Sequence, residues 1–310
     1  MFSLLAEERC GHLVTEEIKK LWSVQLELLK ELQRICAKYN LKYYAIEGTL
    51  LGAIRHNGFI PWDDDIDVGM YSEDFDRFCQ VVEKELPEYY EFQHFSNQDG
   101  MSVGISRIRD SRTTSCTKHE YNYLADSEKY NCGVFIDIFP LFGAAPNTLK
   151  RKIQSMRTYF SNFALDGYIE SRKQKLSPSV KNENPMAAKC ISAWNFLSKF
   201  TSYKEMAQKR YNALKMFSGS ENMGMIGFYG YEPKYIWKKD WFKETVEIPF
   251  EDITISCPKE YDLILKQRYG DYNVFVKGTA IHSFECVDTE TPYKVILKEH
   301  YAEMQKKLKK

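Results

Sequence analysis

The chain has 310 residues, 44% of them hydrophobic and 15% aromatic, enough to bury a sizeable core and far from the composition of a disordered polymer. Lysine plus arginine and aspartate plus glutamate balance at 43 each, so no global field recruits nucleic acid and any charge-driven function has to be local. The eight cysteines form no C-x-x-C pair and no zinc-type Cys/His spacing, which reads as reduced thiols in a cytoplasmic protein.

The opening stretch, MFSLLAEERCGHLVTEE, reads as neither a secretory signal nor a membrane anchor. Residues 15–39 place Ile18, Leu21, Trp22, Leu28, Leu29, Leu32, Ile35 and Tyr39 at helical spacing behind Thr15, which predicts an amphipathic helix with Thr15 as its N-cap. A strand is expected at 42–46, then a tight turn and short helix in EGTLLGAIRHNG, a second strand in DIDVGM, and a helix over 72–86. Further strands are predicted at 90–95, 102–109 and 132–139. The run from Cys132 to Pro146 is apolar except for Asp137 and too short to span a bilayer.

From residue 146 the character changes. Asn147 stands as a cap for a basic helix containing Lys150, Arg151, Lys152 and Arg157, which could face an anionic bilayer or simply water. Residues 171–185 are polar with two prolines and predict a loop, and helical patterning resumes over 186–217. The Tyr/Trp-rich segment 226–258 carries strand-like pieces at 244–248 and 253–256, and 259–269 reads as a helix stopped by Gly270. The basic tail KKLKK reads as a solvated terminus. The chain divides into three stretches: 1–145 as an N-terminal helix plus core, 146–225 as a helical region, and 226–310 as an aromatic-rich segment completing the unit.

The chemistry concentrates in GFIPWDDDIDVGM, residues 58–70. Read as a strand, this stretch projects Asp63, Asp65 and Asp67 to one face and Asp64, Ile66 and Val68 to the other. Three carboxylates on one edge repel unless a cation or raised pKa values relieve them, so a hard divalent ion such as Mg²⁺, or Mn²⁺ in its place, is expected. A calcium loop fits poorly, because Val68 occupies the position of the turn glycine and Asp74 that of the bidentate glutamate. Upstream, Gly48-Thr49 forms a small-residue turn that lets backbone N–H groups and a hydroxyl approach a phosphate. Downstream, VFIDIFPL holds Asp137 as a lone carboxylate among apolar neighbours, which needs a partner. If its strand lies beside that of Asp65, the acids converge on one metal site.

A strand ending in Gly-Thr, an Asp-x-Asp pair and a third acid on a neighbouring strand resemble the nucleotidyltransferase fold. More sharply, EGTLLGAIRHNGFIPWDDDIDVGM with RIRDSRTT, FIDIFPL and YGDY resembles the LicD family of phosphocholine transferases, which is similar to the fukutin-related ribitol-phosphate transferases. The resemblance implies an α+β fold: a nucleotidyltransferase-like core with a mixed sheet flanked by helices, a helical insertion and a C-terminal α/β segment. It implies transfer of a phospho-alcohol from a CDP-alcohol donor, CDP-choline by preference over the ethanolamine, glycerol or ribitol compounds, to a sugar hydroxyl with release of CMP. The implied acceptor is a cell-surface glycan such as teichoic acid, lipopolysaccharide or a capsule precursor, lipid-linked at the inner face of the membrane. Transfer of an NMP group and a non-catalytic nucleotide-binding scaffold are the rival readings.

Carried onto this sequence, Asp65, Asp67 and Asp137 match the metal-binding and catalytic carboxylates, with Asp137 as general base or as ligand of the ion nearest the nucleophile. Gly48 and Thr49 match the phosphate-side turn, and Arg55 the arginine of the long motif. Arg107 and Arg109 lie two apart on one strand face, where a guanidinium holds diphosphate oxygens bidentately. Glu47 would orient Arg55 or a substrate hydroxyl, while His56 reads as structural or exposed. A choline ammonium calls for an aromatic cage, with Tyr231 and Trp237, alongside Tyr229, Tyr235 and Trp241, as candidates.

Overall fold

The computed structural model describes residues 2–117, 120, 130–176, 185–276, 284–298, 300, 302 and 306. A hairpin of β1 (Glu7–Arg9) and β2 (His12–Val14) leads into α1 (Glu16–Tyr39), whose first turn is closed by Thr15 accepting a hydrogen bond from the Ile18 N–H. Every apolar position expected on its inner face is buried except Ile18 and Tyr39, which are partly so. Then come β3 (Tyr44–Ala45), α2 (Glu47–His56), β4 (Asp67–Tyr71), α3 (Ser72–Glu85), β5 (Tyr90–Gln93), β6 (Ser106–Asp110), β7 (Thr114–Thr117) and β8 (Val134–Ala144).

Beyond β8 lies a helical section: α4 (Thr148–Leu176), α5 (Pro185–Leu197) and α6 (Tyr203–Leu214), with α4 packed on both others. As expected, Asn147 caps α4 through its Oδ1, which accepts from the Lys150 N–H at 2.9 Å. The chain then returns to the sheet through β9 (Asn222–Gly224), α7 (Ile226–Tyr229) and β10 (Ile236–Lys238). The hairpin of β11 (Thr245–Phe250) and β12 (Ile253–Pro258), α8 (Tyr261–Tyr269, closed by Gly270), β13 (Phe284–Asp288) and α9 (Tyr293–Ile296) complete the described elements.

The protein is α+β, with a mixed seven-stranded sheet flanked by helices. Its axis is β8, all eleven residues of which are buried. β8 runs parallel to β4 on one side; on the other it pairs antiparallel with β6 along its first half and with β9 at its end. Being covered on both faces and both edges, β8 reads as a continuous apolar run rather than an alternating one. α1 and α3 pack against each other and against β8.

Several expectations are corrected. The strand expected over DIDVGM starts only at Asp67, so Asp63 to Ile66 lie in the connection before it and do not alternate across a strand. The physical reason is that the carbonyls of Asp63 and Asp64 are held by Trp22 and Gln25 of α1 instead of by a neighbouring strand. The loop expected over 171–185 is helical up to Leu176, while 177–184 lie outside the described residues. The strand expected at 102–109 begins at Ser106, and β1, β2, β7, β9, β10 and β13 were not anticipated. Apart from Lys306, the KKLKK tail lies outside the described residues.

Candidate active site

The floor of the site is a consequence of strand register. Because β4 and β8 are parallel neighbours, Asp67 at the start of β4 stands opposite Asp137. Two further bonds fix the entry: the Asp137 N–H donates to the Ile66 carbonyl at 2.8 Å, and the Asp67 N–H donates to Thr49 Oγ1 at 2.7 Å. Asp65, Asp67 and Asp137 each offer an oxygen lying within 4.8 Å of the others. Asp63, Asp64 and Asp65 form an overlapping group by the same measure. Ile66 and Val68, both fully buried, pin the segment to the core.

α1 secures the acidic connection from below. Trp22 Nε1 donates to the Asp63 carbonyl at 3.0 Å, and Gln25 Nε2 donates to the Asp64 carbonyl at 2.8 Å. The Trp22 ring stacks on Phe59 with centroids 4.5 Å apart. These contacts give the backbone of 63–64 the partners that a strand would otherwise supply. They also account for the lead GFIPW beside so many acids: its apolar groups hold a charged segment against the core.

The packing is electrostatically costly in the absence of a cation. Burial, then the charge of Asp65, pushes the Asp63 carboxyl well above its usual range. Burial followed by Asp65 and Asp137 does the same to Asp67. A cluster of hard oxygen donors whose members disfavour one another's ionisation is the donor set that a Mg²⁺-type ion relieves.

Asp137 has its own support. Arg107 Nε donates to Asp137 Oδ1 at 2.7 Å, while Arg107 and Arg109 both pair with the buried carboxylate of Glu120. Both guanidiniums lie over the Phe135 ring, 3.9 and 4.6 Å from its centroid. Burial raises the Glu120 pKa, but Arg109 and Arg107 outweigh it and hold the group down at about 2. Arg109, fully buried, also donates to Gln93 Oε1 at 2.6 Å and to the Gly133 carbonyl at 2.7 Å.

Above the floor opens a cavity of about 570 Å³. One wall is the long motif, contributing Glu47, Gly48, Arg55, Trp62, Asp63, Asp65 and Asp67. The opposite wall comes from α8 and the turn after it, with Arg268, Tyr269, Asp271 and Tyr272 joined by Tyr229. Gly48 has no room for a side chain, since a Cβ there would stand 2.5 Å from Asp63 Oδ2. Glu47, the first residue of α2, adopts φ +46°, a left-handed conformation that a non-glycine residue holds only when its surroundings enforce it. Glu47 Oε2 accepts from Arg268 Nε at 2.6 Å, and Oε1 is buried without a partner among the described residues. Burial raises the Glu47 pKa against the opposing pull of Arg268. Arg268 lies over Tyr235 and Tyr269, both at 4.6 Å, and Tyr229 stacks on Tyr235 at 3.8 Å. Arg55 donates to the Tyr272 carbonyl at 2.8 Å and lies 4.6 Å over Phe275.

Of the residues expected from sequence, Asp65, Asp67, Glu47, Gly48, Arg55 and Tyr229 line the cavity, and Asp137 lies beside the first two. Thr49 is buried beneath the floor, bonded to the Asp67 backbone. Arg107 and Arg109 do share a strand face, but it turns them to Glu120 rather than to the cavity. Trp237 is buried 5.7 Å from Phe242, and Tyr231 packs against the core; neither lines the cavity. Glu47 is paired with Arg268, not Arg55. Asp63, Trp62, Arg268, Tyr269 and Tyr272 were not singled out as site residues, although YGDY, starting at Tyr269, was the available signal for two of them.

The fold and the site together define a mixed α+β protein whose cavity is floored by a three-carboxylate cluster set by two parallel strands. Residues 40–161 match the family described as LicD/FKTN/FKRP, nucleotidyltransferase domain. The chain is 27% identical over 258 residues to the lipopolysaccharide cholinephosphotransferase LicD of Haemophilus influenzae, a match covering 80% of this chain and 88% of that protein. It is 50% identical over 90 residues to an uncharacterized protein of Rickettsia prowazekii, covering 29% of this chain and 30% of that protein. A 73-residue match, 53% identical, links it to the human ribitol 5-phosphate transferase FKRP, covering 24% of this chain and 15% of that protein. Residues 40–161 thus form a LicD-family domain.

Proposed function

We propose that this protein transfers a phospho-alcohol, phosphocholine in the first place, from a CDP-alcohol to a hydroxyl of a cell-surface glycan such as lipopolysaccharide, teichoic acid or a capsule precursor. The observation that supports this most directly is the register of β4 against β8, which gathers Asp65, Asp67 and Asp137 within 4.8 Å at the base of a cavity large enough for a nucleotide. The names of the relatives point the same way, toward phosphocholine for one and ribitol phosphate for another. The reaction would take place in the cytoplasm, on an acceptor at the inner face of the membrane.

Asp65, Asp67 and Asp137 would hold Mg²⁺, or Mn²⁺ in its place, and the ion would supply Lewis-acid neutralisation of diphosphate charge. The chain's own groups do the rest. Gly48, which lines the cavity, has no side chain to displace the Asp63 carboxylate packed against it, and Arg55 and Arg268 bring positive charge to the same cavity. Arg107 donates to Asp137 Oδ1 and holds that carboxylate in place beside the cluster. The acceptor oxygen attacks the phosphorus that carries the alcohol, its proton passes to the carboxylate cluster, and the bond to the CMP oxygen breaks. For a quaternary ammonium, the aromatic faces present at the cavity are Trp62, Tyr229, Tyr269 and Tyr272. In this reading residues 1–145 form the catalytic core and 226–310 complete it, because Arg268 and Tyr269 share the cavity with Asp65.

The test is CMP release by the purified protein with Mg²⁺ and a glycan acceptor, with CDP-choline, CDP-ethanolamine, CDP-glycerol and CDP-ribitol offered in parallel and EDTA as control. Metal-dependent CMP from one donor is the expected result. Pyrophosphate release from CTP or ATP, with no CMP from any donor, would replace this reading by NMP transfer.

A further inference from the structure

Away from the cavity, the first turns of α4 carry an uncommon combination. Leu149, Ile153 and Met156, spaced four and three apart, form one stripe along the helix, and they are 71%, 47% and 59% exposed. Lys150 and Arg157 flank the stripe on one side and Lys152 on the other, all exposed. From Ile138 to Leu165 the sequence contains no aspartate or glutamate, although the whole chain is electrically balanced. The helix is firmly seated by its other face. Gln154, fully buried, accepts from the Ala145 N–H at 3.1 Å and donates to the Gly143 and Leu214 carbonyls at 3.0 and 3.2 Å.

A solvated surface helix normally sets polar groups where Leu149, Ile153 and Met156 stand. Three exposed apolar side chains bordered by cations and free of acids make an amphipathic basic helix, the composition suited to lying in the headgroup layer of an anionic bilayer. A second copy of this chain fits worse, since an isologous contact through the stripe would press the flanking lysines and arginine of the two helices together.

We infer that the outer face of α4, residues 149–157, is a docking surface for anionic lipid bilayers. The apolar stripe enters the interface while Lys150, Lys152 and Arg157 meet the lipid phosphates. The surface is separate from the cavity: α4 comes after the far end of β8, seven residues beyond Asp137, which is roughly 20 Å along a strand. Docking therefore does not depend on the reaction assigned to the cavity.

The experiment is vesicle co-sedimentation of the full chain, using phosphatidylcholine vesicles and vesicles with roughly a quarter of phosphatidylglycerol, at low and high salt. Wild type is expected on the anionic vesicles only, with binding weakened by salt. Lys150→Gln/Lys152→Gln/Arg157→Gln is expected to bind less tightly by about fivefold for each charge removed. Leu149→Ser/Ile153→Ser/Met156→Ser is expected to lose the binding that persists at high salt. Both variants should keep the wild-type circular dichroism spectrum and CMP release with a soluble acceptor. Equal sedimentation of wild type with both vesicle types, or an unchanged profile for both folded variants, would overturn the inference. So would a wild-type dimer in sedimentation velocity that the serine variant turns into a monomer, since the stripe would then face another copy.

Discussion

The two walls of the cavity are made differently. The acidic wall is built on adjacent parallel strands and the connection entering β4, and its geometry comes from the pairing of Asp67 with Asp137 and from the backbone bonds of 63–64 to α1. The aromatic wall comes from α8 and the turn after it, more than two hundred residues from Glu47, and reaches the acidic wall through side-chain contacts: Glu47 with Arg268 and Arg55 with the Tyr272 carbonyl. The first wall has a backbone register that single substitutions leave in place. The second is positioned by a few ion pairs and stacked rings, so it should tune affinity and alcohol choice while the first sets whether the reaction runs at all.

The sharpest way to break this comparison is Asp65→Asn. The amide removes one charged ligand but preserves shape, so CMP release should fall by about a thousandfold, equivalent to roughly 4 kcal/mol. The melting temperature should hold or rise, because a repulsive carboxylate is taken from a crowded cluster. Near-wild-type turnover would remove Asp65 from the site.

Next comes the support beneath the acidic wall. Glu120→Ala leaves Arg107 and Arg109 without their shared carboxylate, and Arg109 is completely buried. Removing one partner of such a network costs about 3 kcal/mol or more, measurable as a lowered urea midpoint. An unchanged midpoint would show that water or another group takes the carboxylate's place.

How far each wall could be read in the sequence depends on the same contrast. The acidic wall was legible because its residues are close in the chain and locally out of place: four aspartates in five positions, and Asp137 alone in an apolar run. Even so, the alternation argument grouped these acids for an incorrect reason. Asp63 and Asp65 are not in a strand, and the backbone of 63–64 is held by Trp22 and Gln25, whose polar atoms turn inward from a helix that otherwise reads as purely apolar on that face. The aromatic wall was not legible in detail. In a segment dense with tyrosine and tryptophan, which ring faces a cavity is decided by tertiary packing; Trp237 turned to Phe242 and Tyr229 to the cavity. Likewise the spacing of Arg107 and Arg109 established their common face, but only the arrival of Glu120 decided what that face meets.

A region remote from both walls supplies a pH control. His94 is buried against Phe92 and Phe95, with Nδ1 bonded to Ser96 at 2.8 Å and Nε2 without a partner among the described residues. Burial, with Lys204 assisting and Asp76 opposing, lowers its pKa to about 4. The unfolded chain therefore takes up this proton first, near 6.5. The stability contributed by neutral His94 is present above that value and is lost as pH falls toward 4. Between pH 7 and 5 the loss should be about 2 kcal/mol, read as a falling melting temperature. His94→Gln should flatten that slope without changing the metal dependence of CMP release.

The smallest expected effect probes the aromatic wall directly. Arg268 is the residue that joins the two walls, paired with Glu47 and stacked between Tyr235 and Tyr269. Arg268→Met keeps much of the apolar contact but removes the charge, so KM for the CDP-alcohol should rise about tenfold, near 1.4 kcal/mol, with kcat little changed. Trp237→Phe, a change of comparable size in the same aromatic segment but outside the cavity, should leave KM within about twofold and lower only stability. If instead Arg268→Met lowers kcat as strongly as Asp65→Asn, the charge acts on the transferring phosphate itself. The division between a wall that reacts and a wall that selects would then give way to a single charged ring around the diphosphate.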